Sequence, residues 1–131
     1  MNTVLGDDGL GNTYRSWTGT PPYRRYLKRT DLTDPAPSHH WVLVDEHPDS
    51  INNGDMAVKC DAIGPNAQFI DYPASYHNGA CGFSFADSHA EIKKWVDART
   101  KPKPKYIGSI TMRVSPNNPD IAWMQERTSA R

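Results

Sequence analysis

Three carboxylates fall within five residues in "DEHPDS": Asp45, Glu46 and Asp49, with His47 among them. Such charges repel one another unless something positive sits between them. A hard cation such as calcium takes several oxygen ligands from a loop of this kind. The same stretch reads equally as a solvated turn in which Asp49 bonds local backbone. A second set lies in "YHNGACGFSFADSHAEIKKW", Tyr76 to Trp95. Asp87, His89 and Glu91 are spaced i, i+2, i+4, so on a strand they share one face. Such a row can ligate a metal. The plainer alternative is a solvent-facing row, with Ala90 and Ile92 turned inward and Asp87 serving a turn. His77 stands ten positions before Asp87. The two fall at opposite ends of the strand between them unless the loop before Gly82 folds back.

Other chemistries are excluded by pattern. "GFSFA" (Gly82 to Ala86) misses the nucleophile elbow G-x-S-x-G by one residue, and that elbow needs a strand-to-helix turn. Ser84 sits between two phenylalanines in a strand pattern, so it is rejected as a nucleophile. His39 and His40 are adjacent and point to opposite faces of a strand, which makes a joint metal site improbable. The H-x-H-x-D-H run of zinc hydrolases is absent, and "GLGNTY" lacks the lysine and preceding strand of a phosphate loop.

The elements that must position these residues are short. "WVLVD" (Trp41 to Asp45) is a Val-rich apolar run of strand length. "MAVKC" (Met56 to Cys60) is a second candidate strand. "CGFSFAD" (Cys81 to Asp87) alternates Phe83 and Phe85 with small residues, as a half-buried strand does. "HAEIKKW" (His89 to Trp95) returns beside it, with Asp87-Ser88 at the turn. "RRYLKRTDL" (Arg24 to Leu32) allows a turn or two of helix, ended near Asp34-Pro35. Residues 1–24 read as loop, the Lys-Pro alternation after Thr100 as extended chain, and "SITMRV" as a last strand. A short amphipathic helix is expected after Asn117-Asn118-Pro119-Asp120.

The chain has 131 residues, a lean 37% of them hydrophobic, with 11 Pro and 9 Gly. That suits one domain over residues 1–131, of α+β class, with an antiparallel sheet, long loops and short helices. Fifteen acidic residues balance fifteen basic ones. This argues against nucleic acid, which needs a surplus of Lys and Arg on one face. No run approaches the ~20 apolar residues of a membrane helix, and no secretory signal follows Met1. The two cysteines, Cys60 and Cys81, permit one disulfide across a loop of about 20 residues, and two free buried thiols are the common alternative.

His77 through Ser88 resembles the H-X9-DG motif of prepilin-like proteins. Nine residues separate His77 from Asp87, and Ser88 stands where the motif has glycine. "HAEIKKW" resembles the family's continuation to a tryptophan, and "WVLVDEHPDSINNG" is similar to the strand and "DE" that precede the motif. The likeness covers roughly residues 41–95. It implies the globular head of a type IV pilin or type II secretion pseudopilin, located outside the cytoplasm. Full members carry a cleavage signal and a long apolar helix before the head. This sequence shows neither, and a soluble, shortened form is expected, touching membrane only through that missing helix. Heads of this class pack an antiparallel sheet against the helix, and some hold calcium in a loop. The residues available for such an ion are Asp45, Glu46, Asp49 and Asp87, with His77 and His89. Asp45 and Asp87 each end a strand and are expected to converge on one divalent cation.

Three functions compete. The first is a pseudopilin-like head that stacks with other pilin-like subunits and carries a structural calcium. The second is a small metal-dependent hydrolase of an ester or lactone, with His77 and Asp87 as catalytic candidates and the cation activating water. The third is a carbohydrate- or surface-binding module stacking on Trp17, Trp41, Trp95 and Trp123, although aromatics spaced so irregularly are more often core.

Overall fold

The computed structural model describes residues 1–2, 4–5, 18, 23–106, 110 and 112–130. Three strands form one antiparallel sheet in the order β1 (Trp41–Val44), β2 (Ala80–Phe85), β3 (Ala90–Lys94). Val44 faces Phe83 and Leu43 faces Ser84, with a bulge between Trp41 and Leu43. Phe83 faces Glu91 and Cys81 faces Lys93. Helix α1 (Pro119–Thr128) closes the described chain, and 3-10 turns sit at Arg29–Asp31, Gly64–Asn66 and Ala98–Thr100. The fold is thus a small α+β arrangement with short elements and long connections.

The alternation in β2 does what its sequence predicts. Cys81, Phe83 and Phe85 enter the core, while Gly82 and Ser84 turn to the other face. Trp41, Met56, Val58, Ala74, Trp95 and Met124 complete this core. The two buried indoles find partners, as they must: Trp41 Nε1 donates to Thr128 Oγ1 at 3.0 Å and Trp95 Nε1 to the Ala74 carbonyl at 2.8 Å. Helix α1 begins where the Asn118 side chain accepts the N–H groups of Asp120 and Ile121, with proline in its first turn. It buries Asp120, Ile121, Met124 and Thr128, one stripe at helical spacing. Lys93 and Arg127 both lie over the Trp123 ring.

The hairpin β2–β3 turns where expected. Phe85 N–H donates to the His89 carbonyl, and Ser88 N–H returns to Phe85. A three-residue loop of this kind ends in a residue with positive φ, and Ser88 has φ of 81°. Glycine adopts that conformation without strain, whereas a serine pays for it. Ser88→Gly should therefore be neutral or stabilising by up to about 1 kcal/mol, the relief being partly offset by a freer unfolded chain. A clear drop in melting temperature would show that the serine hydroxyl is needed at the turn.

Four expectations are corrected. Ile92 does not face inward but is 76% exposed, and Ala90 is exposed too. Glu91 opposes Phe83, and cross-strand partners share a face, so the register assigns the Asp87/His89/Glu91 row to the core side, at a rim where it stays wet. Met56 to Cys60 is not a strand; it makes two isolated bridges, Asn2 with Met56 and Val58 with Phe69. Arg24 to Leu32, by contrast, holds one 3-10 turn, within the turn or two of helix expected there. The Cys60–Cys81 disulfide is not formed: both thiols are free and buried, donating to the Val58 and Asp45 carbonyls. Burial first of all pushes each up to about 12, so both are inert thiols. Trp41 and Trp95 are core residues and Trp123 packs against them, which removes three rings from the stacking platform. Trp17 and parts of 1–24 and 109–114 lie outside the described residues; of the expected last strand, Val114 bridges Gln68.

Candidate functional site

The six expected ligands fall into separate places. Asp45 follows β1, level with Gly82, where its Oδ2 would lie 3.5 Å from any added Cβ. Its backbone is fixed by the Ala74 N–H and the Cys81 thiol, which both donate to its carbonyl. The side chain meets His77 Nε2 at 3.4 Å, and both groups are about half exposed. Tyr76 packs its ring against His77 at 4.8 Å. Partial burial, and then the Asp45 charge, raise the Tyr76 phenol. His77 is thus joined to Asp45 and not to Asp87.

Asp87 lies at the hairpin turn. Its Oδ1 accepts from His89 Nδ1 at 2.5 Å and from the His89 N–H at 3.2 Å, and these bonds lower its pKa. The His89 ring stacks flat on Phe85 at 4.3 Å. The strands run antiparallel, so the end of β1 lies beside the start of β2, while Asp87 follows its end. Five residues at ~3.3 Å each put roughly 15 Å between Gly82 and Asp87. Asp45 and Asp87 cannot share an ion, and the expected convergence is corrected on that ground. Among the described residues no group of three or more His, Cys, Asp or Glu side chains has a geometry that could hold a metal.

Asp49 is neither a solvated turn residue nor an open ligand. It is buried and its Oδ2 accepts the Lys105 N–H at 2.7 Å, while its carbonyl accepts from Ile110. It pins the later loop. His47, fully buried, reaches the Pro102 carbonyl at 3.0 Å through Nε2, and its Nδ1 accepts the Asp49 N–H.

Glu46 has the most unusual environment. Burial, and next the negative charge of Asp71, push it up to about 7, against a bond with Ser50. Its Oε1 is buried with no hydrogen-bond partner among the described residues. Asp71 is itself raised by burial, against bonds from the Ala57 N–H and Asn52. Asp71 was missed from sequence, although a lone carboxylate in the apolar run "AQFIDY" was a signal for it. His40 was also missed. It is fully buried against Tyr26, neither ring nitrogen has a partner among the described residues, and burial lowers it to about 4.

These two groups set a pH dependence. Glu46, raised in the fold, favours folding below pH ~4.5 and loses that contribution as pH climbs through about 7. His40, depressed in the fold, does the reverse: its contribution is full above pH ~6.5 and is lost as pH falls through about 4. Between about pH 4.5 and 6.5 the slopes oppose each other. Glu46→Gln should raise stability at pH 8 by about 1–2 kcal/mol, discounting for solvent near a partly exposed group. It should also uncover a decline below pH ~6.5. Melting curves across pH test this, and a constant offset between variant and parent at all pH values would refute it.

The sheet's outer face is the other candidate surface. Leu43, Val44, Gly82, Ser84, Ala90 and Ile92 line a shallow groove of roughly 610 Å³. Leu43 is 54% exposed. The Asp45–His77 pair stands at one end of this groove.

No protein-family model matches the sequence, and searches of curated proteins and of solved structures give no match to it. Among the described residues no helix is long and apolar enough to cross a membrane.

Proposed function

We propose that the chain is a pseudopilin-like head, acting outside the cytoplasm, whose sheet seats an apolar helix and thereby joins an assembly of pilin-like subunits. The observation that carries this reading is the two-sided sheet. One face is closed by α1 and the aromatic core, and the other is open, apolar and bordered by small residues at Gly82, Ser84 and Ala90. Small residues on a groove floor allow a helix to approach closely. The positive φ at Ser88 supports the motif resemblance, because glycine holds that place in the motif. A structural calcium remains part of the reading on the resemblance alone, since the six expected residues do not form a cage. A concentration-dependent rise in melting temperature with calcium would support it, and an unchanged value in excess chelator would remove it.

The helix seat is tested by titrating a synthetic pilin-type apolar helix of about 25 residues. Saturable binding is expected, retained in Leu43→Met and lost in Leu43→Asp at unchanged melting temperature. Absence of saturable binding, or binding indifferent to Leu43→Asp, would overturn it. The hydrolase reading keeps one specific observation: His77 is held by Asp45, as a general base is held by an orienting carboxylate. Ester or lactone turnover abolished by His77→Ala would favour it over the head reading, and no turnover would dismiss it.

A further inference from the structure

Among the described residues nothing pairs with the outer edge of β3, where the described sheet ends. Which of its backbone groups point outward follows from the hydrogen bonds. Phe85 N–H donates to the His89 carbonyl, and Trp95 N–H to the Gly79 carbonyl. His89, Glu91, Lys93 and Trp95 therefore turn their backbone toward β2, because alternate residues of an antiparallel strand bond to the same neighbour. Ala90, Ile92 and Lys94 present their N–H and C=O groups to the free edge. Exposed edges of this kind are templates for another strand.

The side chains specify which strand. We infer that β3 pairs antiparallel with β3 of a second copy of this chain, about a twofold axis at Ile92. In that register Ile92 meets Ile92, Ala90 meets Lys94 and Lys94 meets Ala90, each as a hydrogen-bonded pair that uses the outward groups. Glu91 then lies opposite Lys93 of the other copy, twice. These are non-hydrogen-bonded pairs, in which side chains stand closest. Lys93 is already oriented on that face, its ammonium 5.1 Å from the Trp123 ring centroid. On the opposite face the two Ile92 side chains, each 76% exposed in the single chain, cover one another. Other registers are poorer. A twofold at Glu91 or at Lys93 sets like charges against each other, and one at Lys94 opposes two ammonium groups. The sequence "AEIKK" is self-complementary about its central residue and nowhere else. The result is a symmetric interface and a continuous six-stranded sheet. It does not depend on the helix-seating reading.

An edge of five residues makes a small interface, below about 1,200 Å² in total, so the dimer is weak and its population follows concentration. Sedimentation equilibrium of the full chain up to about 0.5 mM should show a reversible monomer–dimer equilibrium. Ile92→Pro removes an N–H that points to the free edge and not to β2, a position where an edge strand tolerates proline; it should abolish the dimer while the melting transition persists. Glu91→Lys and Lys93→Glu should each raise the dimer dissociation constant tenfold or more, and the double exchange Glu91→Lys/Lys93→Glu should restore it to within about threefold of the parent. A chain that stays monomeric to the highest concentration would overturn the inference. So would single charge variants that dimerise as the parent does, or a double exchange that fails to recover.

Discussion

Phe83→Ala should cost about 3–5 kcal/mol, the range for truncating a buried aromatic ring. Phe83 is 2% exposed. Its ring meets Trp41 at 6.0 Å, Trp95 at 5.9 Å and Trp123 at 5.1 Å, each edge-on, and Phe85 at 6.4 Å. It thus joins core residues of β1 and β2, and Trp95 just after β3, to helix α1. The void left by alanine would be walled by rigid indoles. Trp41 and Trp95 are held by their own hydrogen bonds and cannot collapse into it without breaking them. Incomplete relaxation places the loss at the upper part of the range. Phe83→Leu, which keeps much of the volume, should cost less than half as much. Urea unfolding measures both. A loss below about 1 kcal/mol for the alanine variant would mean that the hairpin is not packed on the core as described.

The hairpin itself was legible because its signals are local. Phe83 and Phe85 at spacing two, small residues between them, and Asp87-Ser88 after them define a strand and a turn within nine residues. The C-terminal helix was legible for the same reason, from Asn118-Pro119-Asp120 at its start. Strand direction was not local. Both Asp45 and Asp87 end strands, but the antiparallel pairing of β1 with β2 sends those ends apart. The inward face of β3 was misjudged because Ala90 and Ile92 are its apolar residues. The register with β2, fixed by the burial of Phe83, overrides that preference and leaves Ile92 in solvent. Long connections were the least legible. Asp49, Asp71 and His40 owe their burial to segments distant in sequence, and the Met56–Cys60 stretch pairs through single bridges with residue 2 and residue 69, contacts that no alternation in its own sequence encodes.

Asp120→Ala should cost about 2–4 kcal/mol, the second largest effect expected of a single side chain. Asp120 is fully buried in the first turn of α1. Its Oδ2 accepts the Asp97 N–H at 2.9 Å and, with Oδ1, the Val96 N–H at 3.1–3.2 Å. These two amides belong to the chain just after β3, so one carboxylate fastens the helix start to the exit of the sheet. Its charge also suits a helix N-terminus, where the backbone dipole is positive. Alanine removes the acceptor and leaves two part-buried amides without their partner, the costlier way to lose a hydrogen bond. Asp120→Asn keeps one oxygen acceptor but presents an N–H₂ group to the other donor, so it should recover no more than about half of the loss. Hydrogen exchange separates this from a general loosening: the Val96 and Asp97 amides should exchange faster relative to those of β2 than overall stability alone predicts. Uniform acceleration throughout the chain, or a stability loss below about 1 kcal/mol, would show that the carboxylate does not hold this junction.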